Sequence, residues 1–151
     1  MALDFFQETM DLLADLDREG IAYAVAGAVA LAIHGAPRAT ADLDLLVLPQ
    51  ELAAALEVAR RRGYTIEALP MKFADGTEMR RVTKVAAAEA LTLDLILVDE
   101  ALQPIWESRI RVPTEGAELW VVSRDGLIKM KAAAGRTQDL ADIARLEDAD
   151  R

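Results

Sequence analysis

Over the first twenty positions apolar residues recur at helical spacing, and then they crowd into an unbroken run. That change of period sets out the first elements. Asp4 stands where a helix cap is expected, with Gln7 three positions on as in a capping box. Phe6, Met10 and Leu13, with Phe5, Leu12 and Leu16 on the adjoining row, form an apolar face, and Gly20 is a natural stop. Residues 21–26 read as a buried strand. Gly27 breaks it, and 28–34 is a short Ala-rich helix ended by Gly35. Residues 36–41 form a loop with Pro37 and Arg38. A second strand covers 42–48 and stops at Pro49. Residues 50–62 are a helix with Leu52, Leu56 and Ala59 on one face, closed by Gly63. Strands follow at 64–68, 79–84 and 91–98. The last is central by its apolar content, and the segment "LPMKFADGT" is a loop or hairpin connection. The stretch holding Pro104, Trp106 and Pro113 reads as irregular. Residues 118–122 form a short strand, Ser123 caps a helix to about Ala134, and Thr137 caps a last helix through Glu147. With no repeat, low-complexity tract or linker, the pattern is one α+β (α/β mixed) domain over 1–151.

The bulk numbers narrow the chemistry. A chain of 151 residues, 53% of them hydrophobic, can bury a real core. It has no cysteine, which removes disulfides, thiolate zinc sites and cysteine nucleophiles together. A single histidine, His34, removes multi-histidine metal sites. The net charge of −9 argues against a broad grip on nucleic acid, unless Arg80, Arg81, Lys84 and Lys131 gather into a local basic patch. The basic run Arg60-Arg61-Arg62 suits the negative end of its helix. The amino-terminal residues lack the layout of a signal peptide. The longest apolar run, 21–33, is shorter than the roughly 20 residues that span a bilayer. The expectation is a cytoplasmic protein with no membrane partner.

Against that background the carboxylates of the second strand stand out. Asp42 and Asp44 alternate onto one face, roughly 7 Å apart by strand rise, while Leu43, Leu45 and Val47 take the other. Like charges held together raise each other's pKa. A divalent cation reverses the penalty, and Mg²⁺ prefers carboxylate oxygens with phosphate and water. The bland alternative is a solvated strand end. Asp94 stands alone in "LTLDLILV", where an acid is rare unless paired or functional. It is either a third metal-binding carboxylate, as in a two-metal phosphoryl-transfer site, or the partner of Arg80 or Arg81. Gly27 adds a glycine turn between strand and helix, a place where backbone N–H groups face anions.

These residues, in this order, resemble the polymerase-beta-like nucleotidyltransferase superfamily. Its first motif is a Gly-Ser or Gly-Gly turn at a helix start, then D-x-D on the next strand, with a third acid from a later strand. "VAGAVALAIHGAPRATADLDLLV" and "LIKMKAAAGRTQDLADI" together look like the small AbiEii-type enzymes, which include toxins of type IV toxin–antitoxin systems. The resemblance covers most of the chain. It implies a small mixed sheet flanked by helices, with helices at the C-terminus, and transfer of a nucleoside monophosphate from an NTP to an acceptor hydroxyl on RNA, protein or a small molecule. It also implies two Mg²⁺ ions. Asp42 and Asp44 would hold the metals and bridge to the triphosphate. Asp94 would hold the catalytic metal and help deprotonate the acceptor. Gly27 and Ala28 would offer backbone to the phosphates, with Lys131 and Lys129 as phosphate contacts; Arg38 reads either as a phosphate contact at the site entrance or as a solvated loop arginine. Arg136, Asp139 and Asp142 match the motif's other polar positions. An antitoxin protein is the implied partner of a toxin form.

Position 28 departs from the pattern, with Ala where the family usually has Ser or Gly. That motivates a second reading, a catalytically weak module that binds nucleotide or a partner protein. His34 reads as a helix-end residue more than as a base. Trp106 and Trp120 read as packing residues, with base stacking as the alternative.

Overall fold

The strands most apolar in sequence take the middle of one mixed sheet. The computed structural model describes residues 3–149. β1 (Ala24–Ala26), β2 (Asp42–Val47), β6 (Glu89–Leu97) and β8 (Ala117–Val121) lie side by side at its centre. β5 (Glu78–Ala86) follows outward from β6, with two short strands, β3 (Ile66–Glu67) and β4 (Met71–Lys72), pairing to it. β7 (Ile110–Thr114) closes the opposite edge. β2 runs antiparallel to β1 and parallel to β6, and β1 runs parallel to β8. Leu43, Leu45, Val47, Leu93 and Leu95 are buried, which is why these strands sit inside the sheet and not at an edge.

Helices cover this sheet. α1 (Phe5–Arg18) is capped by the Asp4 carboxylate, which accepts from the Gln7 N–H at 3.1 Å, and packs against α3 (Leu52–Arg61). Its buried row is Thr9, Leu12, Leu13 and Leu16. Phe6, expected in the apolar face, is 62% exposed, while its neighbour Phe5 packs against the core. α2 (Gly27–Ile33) packs on β1 and β2. The basic run at the end of α3 is paired: Arg60 with Glu57, Arg61 with Glu19, and Arg62 with Asp15. Ser123 caps α5 (Arg124–Ala134) through the Gly126 N–H at 3.0 Å, and α5 packs against α6 (Thr137–Ala149).

Several expectations need correction. The stretch read as irregular holds α4 (Gln103–Glu107) and β7. Pro104 fits the first turn of α4, where its missing N–H has no helical partner to lose, and Pro113 is tolerated because β7 is an edge strand. The strand expected over 21–26 is shorter, since only Ala24–Ala26 finds ladder partners. Among the described residues no helix is long and apolar enough to cross a membrane.

Candidate active site

The parallel pairing of β2 with β6 sets Asp44 directly beside Asp94, and Asp42 beside Thr92. Neighbouring strands lie ~4.8 Å apart, so two carboxylates distant in sequence are forced into one small volume. Asp94 is almost fully buried, Asp44 is half-buried, and Asp42 is exposed at the strand start. The Thr40 hydroxyl accepts from the Asp42 N–H at 3.0 Å and fixes the entry to the strand.

Burial is the largest influence on Asp44. The charge of Asp94, a hydrogen bond between the two carboxyls and the charge of Asp42 act in the same direction, and Lys131 opposes them. Together they push the Asp44 carboxyl from its ordinary 3.8 up to about 7. A carboxylate crowded this way gains from a cation.

Gly27 forms the wall on the other side of Asp44. Its φ is +60°, and a Cβ built there would lie 1.8 Å from Asp44 Oδ2. Only glycine lets the turn close over the carboxylate. Ala28 is buried and lines a largely apolar cavity of about 310 Å³ with Phe5, Met10, Val29, Arg38 and Thr40.

Arg81 holds Asp94 from the outer strand. The two residues are cross-strand partners on β5 and β6. Arg81 Nε donates to Asp94 Oδ1 at 2.8 Å and Nη2 to Oδ2 at 3.0 Å, so both oxygens are engaged. Among the described residues, no group of three or more Asp, Glu or His side chains is placed to hold a metal ion as it stands. Mg²⁺ commonly takes only one or two protein carboxylates, with phosphate and water completing its shell. The crowded pair at Asp44, with Asp42 on the same face, fits that donor chemistry.

The expected phosphate contacts divide. Lys131 is buried, and its Nζ donates to Asp142 Oδ2 at 2.9 Å and lies 3.7 Å from Asp139 Oδ1. Arg38 reaches the same Asp142 oxygen at 3.4 Å, and Gln138 donates to the other at 2.9 Å. Burial raises Asp142, but hydrogen bonds and charge from Lys131, with help from Gln138 and Arg38, outweigh it and hold the carboxyl below its usual range. Asp139 behaves alike: burial raises it, and Arg136 with Lys131 brings it below the ordinary value. The C-terminal motif is therefore a buried ion network joining α5, α6 and the loop before β2. Arg145 adds a 2.5 Å bond to the Pro37 carbonyl. Lys129 is not brought to the acids; it lines a cleft with Pro104, Ile105, Ser108 and Ser123.

Other sequence-level candidates resolve into packing. His34 closes α2, and its Nε2 lies 2.8 Å from the Val122 carbonyl, a tie between helix and sheet. Trp106 is buried, with the Arg109 guanidinium 4.0 Å from its ring centroid, and Arg109 and Arg111 both lie over Trp120. Three of the four cations weighed for a basic patch are ion-paired within the chain: Arg81 with Asp94, Lys84 with Glu8 at 2.7 Å, and Lys131 with Asp142. Sequence reasoning missed Arg145, whose partner Pro37 lies far off along the chain, and Gln138, whose i,i+4 spacing to Asp142 on α6 was a signal to be read.

No family model matches the sequence, and no curated protein matches it significantly. Solved structures do match the fold. The lincosamide antibiotic adenylyltransferase LnuA in its lincomycin-bound form is similar at TM-score 0.66 and 11% identity, over 95% of this chain and 96% of that one. TM1012 of Thermotoga maritima, assigned as a nucleotidyltransferase, gives 0.64 and 12% over 95% and 92%. ANT(2″)-Ia in complex with adenylyl-2″-tobramycin gives 0.61 and 15% over 93% and 87%. The chain thus has the mixed sheet and flanking helices of a nucleotidyltransferase fold.

Proposed function

We propose that this protein transfers a nucleoside monophosphate from an NTP to the hydroxyl of a small acceptor, with Mg²⁺ held at Asp42 and Asp44. The observation that carries the reading is the register of Asp44 beside Asp94 under the Gly27 turn, in a fold similar to that of antibiotic adenylyltransferases. Phosphoryl transfer needs positioning and charge neutralisation more than a nucleophilic side chain, and this chain offers acids, a glycine turn and a few cations.

When bound, Mg²⁺ would neutralise charge on the phosphates and on Asp42 and Asp44; in the two-ion form of the reading, Asp94 would hold the second ion. The acceptor oxygen forms a bond to the α-phosphorus while the bond to the bridging oxygen breaks, and pyrophosphate leaves with that electron pair. Asp94, beside Asp44, is the group to draw the hydroxyl proton. Gly27 and Ala28 offer backbone at the turn. Lys131 acts through charge, since its ammonium is committed to Asp142 and Asp139, and Arg38 stands nearer to solvent.

One observation supports a small acceptor over tRNA: Arg81, Lys84 and Lys131, three of the four cations of the expected patch, are spent on acids of this chain. The AbiEii-type assignment and a toxin role with an antitoxin partner rest on motif resemblance. Toxicity on expression that depends on Asp42 and Asp44 would support them, and harmless overexpression would count against them. The Arg81 clamp on Asp94 and the alanine at 28 favour a second reading, a module that binds nucleotide without turnover.

The test is a transfer assay with α-labelled NTPs, Mg²⁺ and a panel of hydroxyl compounds including aminoglycosides and tRNA. It is run on wild type, Asp94→Ala and the double variant Asp42→Ala/Asp44→Ala. Label transfer lost in both variants is the expected result. Binding that survives Asp94→Ala with no transfer by wild type would leave the module reading. Absence of any Mg²⁺-dependent NTP binding by titration calorimetry would overturn both.

A further inference from the structure

Asp94 is the most buried of the three acids, and a guanidinium already occupies both of its oxygens. We infer that Arg81 is a resident cation at the second metal position, so that without nucleotide the protein takes up one divalent ion, and a second enters only when Arg81 leaves Asp94. This inference rests on the metal-dependent reading above and deepens it.

The pairing is built by register, not by chance contact. Arg81 and Asp94 face each other across the β5–β6 ladder, and the bidentate geometry is that of the strongest carboxylate pairs. An approaching ion must compete with both bonds and with the guanidinium charge, because each oxygen of Asp94 already accepts from Arg81. The pair is asymmetric in exposure. The Asp94 side chain is 6% exposed and the Arg81 side chain 42%. The carboxylate is fixed, whereas the guanidinium lies at the surface on a long stem and can swing toward a ligand.

Charge counting gives the same stoichiometry. Asp42, Asp44 and Asp94 carry three negative charges when ionised. Arg81 and one divalent ion cancel them, and a second ion beside Arg81 would leave two excess positive charges in a half-buried site, against one with Arg81 removed. An NTP brings about four negative charges on its phosphates. The nucleotide therefore supplies both the reason for Arg81 to move, since guanidinium pairs well with phosphate oxygens, and the charge that makes a second ion favourable. Arg81 is in this account a positioning residue that couples nucleotide arrival to completion of the metal site.

The experiment counts bound Mn²⁺ by electron paramagnetic resonance on wild type, Arg81→Gln and Arg81→Lys. Each is measured without nucleotide and with a non-hydrolysable NTP analogue, alongside thermal unfolding with and without Mn²⁺. Wild type is expected to bind one ion alone and two with the analogue. Arg81→Gln is expected to bind two ions without nucleotide, and to gain more unfolding temperature from Mn²⁺ than wild type does. Arg81→Lys, which keeps the charge but cannot fork across both oxygens, should fall between. Two ions on nucleotide-free wild type, or one ion on a folded Arg81→Gln, would overturn the inference and leave the metal-dependent reading standing. No Mn²⁺ on wild type even with the analogue would overturn both. Should Arg81→Gln not fold without Mn²⁺ and recover with it, the resident-cation role is supported; if Mn²⁺ does not rescue it, Arg81→Lys decides by the same ion count.

Discussion

Replacing Asp44 by Asn should make the metal-free protein more stable while destroying its proposed activity. The substitution keeps the shape of the side chain and removes its charge. In the folded chain burial, Asp94 and Asp42 hold the Asp44 carboxyl at about 7 against an ordinary 3.8. At ~1.4 kcal/mol per tenfold change in proton affinity, that rise is worth roughly 4 kcal/mol of destabilisation when the group is charged. The sign follows from linkage. A carboxyl whose folded pKa is raised binds its proton more tightly when folded, so the penalty is absent below about pH 4, grows from there to about pH 7, and is complete above it. Asparagine forgoes the attraction of Lys131 and buries an amide beside Asp94, so about half of the ceiling, ~2 kcal/mol, should appear as net gain. For a domain of this size that corresponds to roughly 4–8 °C in unfolding temperature. The assay is thermal unfolding in EDTA at pH 8 and pH 4.5. Asp44→Asn should unfold higher than wild type at pH 8, the gap should close at pH 4.5, and Mg²⁺ should stabilise wild type but not the variant. A variant equal to or less stable than wild type at pH 8 in EDTA would refute the claim that these carboxylates crowd one another.

Further outcomes follow from the same geometry. Gly27→Ala should cost at least about 1–3 kcal/mol from its left-handed backbone alone, and its methyl would strike Asp44; unfolding midpoints in urea measure the loss, and a neutral effect would mean that the turn does not close on the acid. Lys131→Met should lower stability by about 3–5 kcal/mol, since it leaves the buried Asp142 and Asp139 carboxylates without their shared cation; urea melts with unchanged midpoint would return Lys131 to a purely phosphate-binding role. Asp15 is held at about 2, chiefly by its hydrogen bond to Arg62. Its contribution is present above about pH 4 and lost as pH falls through 2, so Asp15→Asn should cost ~1 kcal/mol at neutral pH, after discounting for the partly exposed Arg62, and only a small part of that at pH 2. His34→Ala should lower stability by about 1 kcal/mol through the lost tie to Val122 with no change in nucleotide binding; loss of binding at unchanged stability would give the imidazole a functional part.

Local patterning by itself determined most of the elements. Alternation around Asp42 and Asp44 placed both acids on one strand face, and the caps at Asp4 and Ser123 located two helix starts, because strand period and capping are properties of neighbours in sequence. The glycine turn, the D-x-D and the lone Asp94 were likewise legible, as chemistry out of place in apolar runs. Tertiary structure alone decided what each group meets. Which strand lies beside β2 is a matter of topology, and the β2–β6 register turned two separate acids into a crowded pair. The β5–β6 ladder chose Arg81, and not Arg80, as the partner of Asp94, since a shift of one residue would have sent the guanidinium to the other face. Lys131 and Asp142 carry no local signal of their pairing, because the turn between α5 and α6 sets it. Pairings across the chain depend on where the backbone returns, and that is fixed only when the whole core closes.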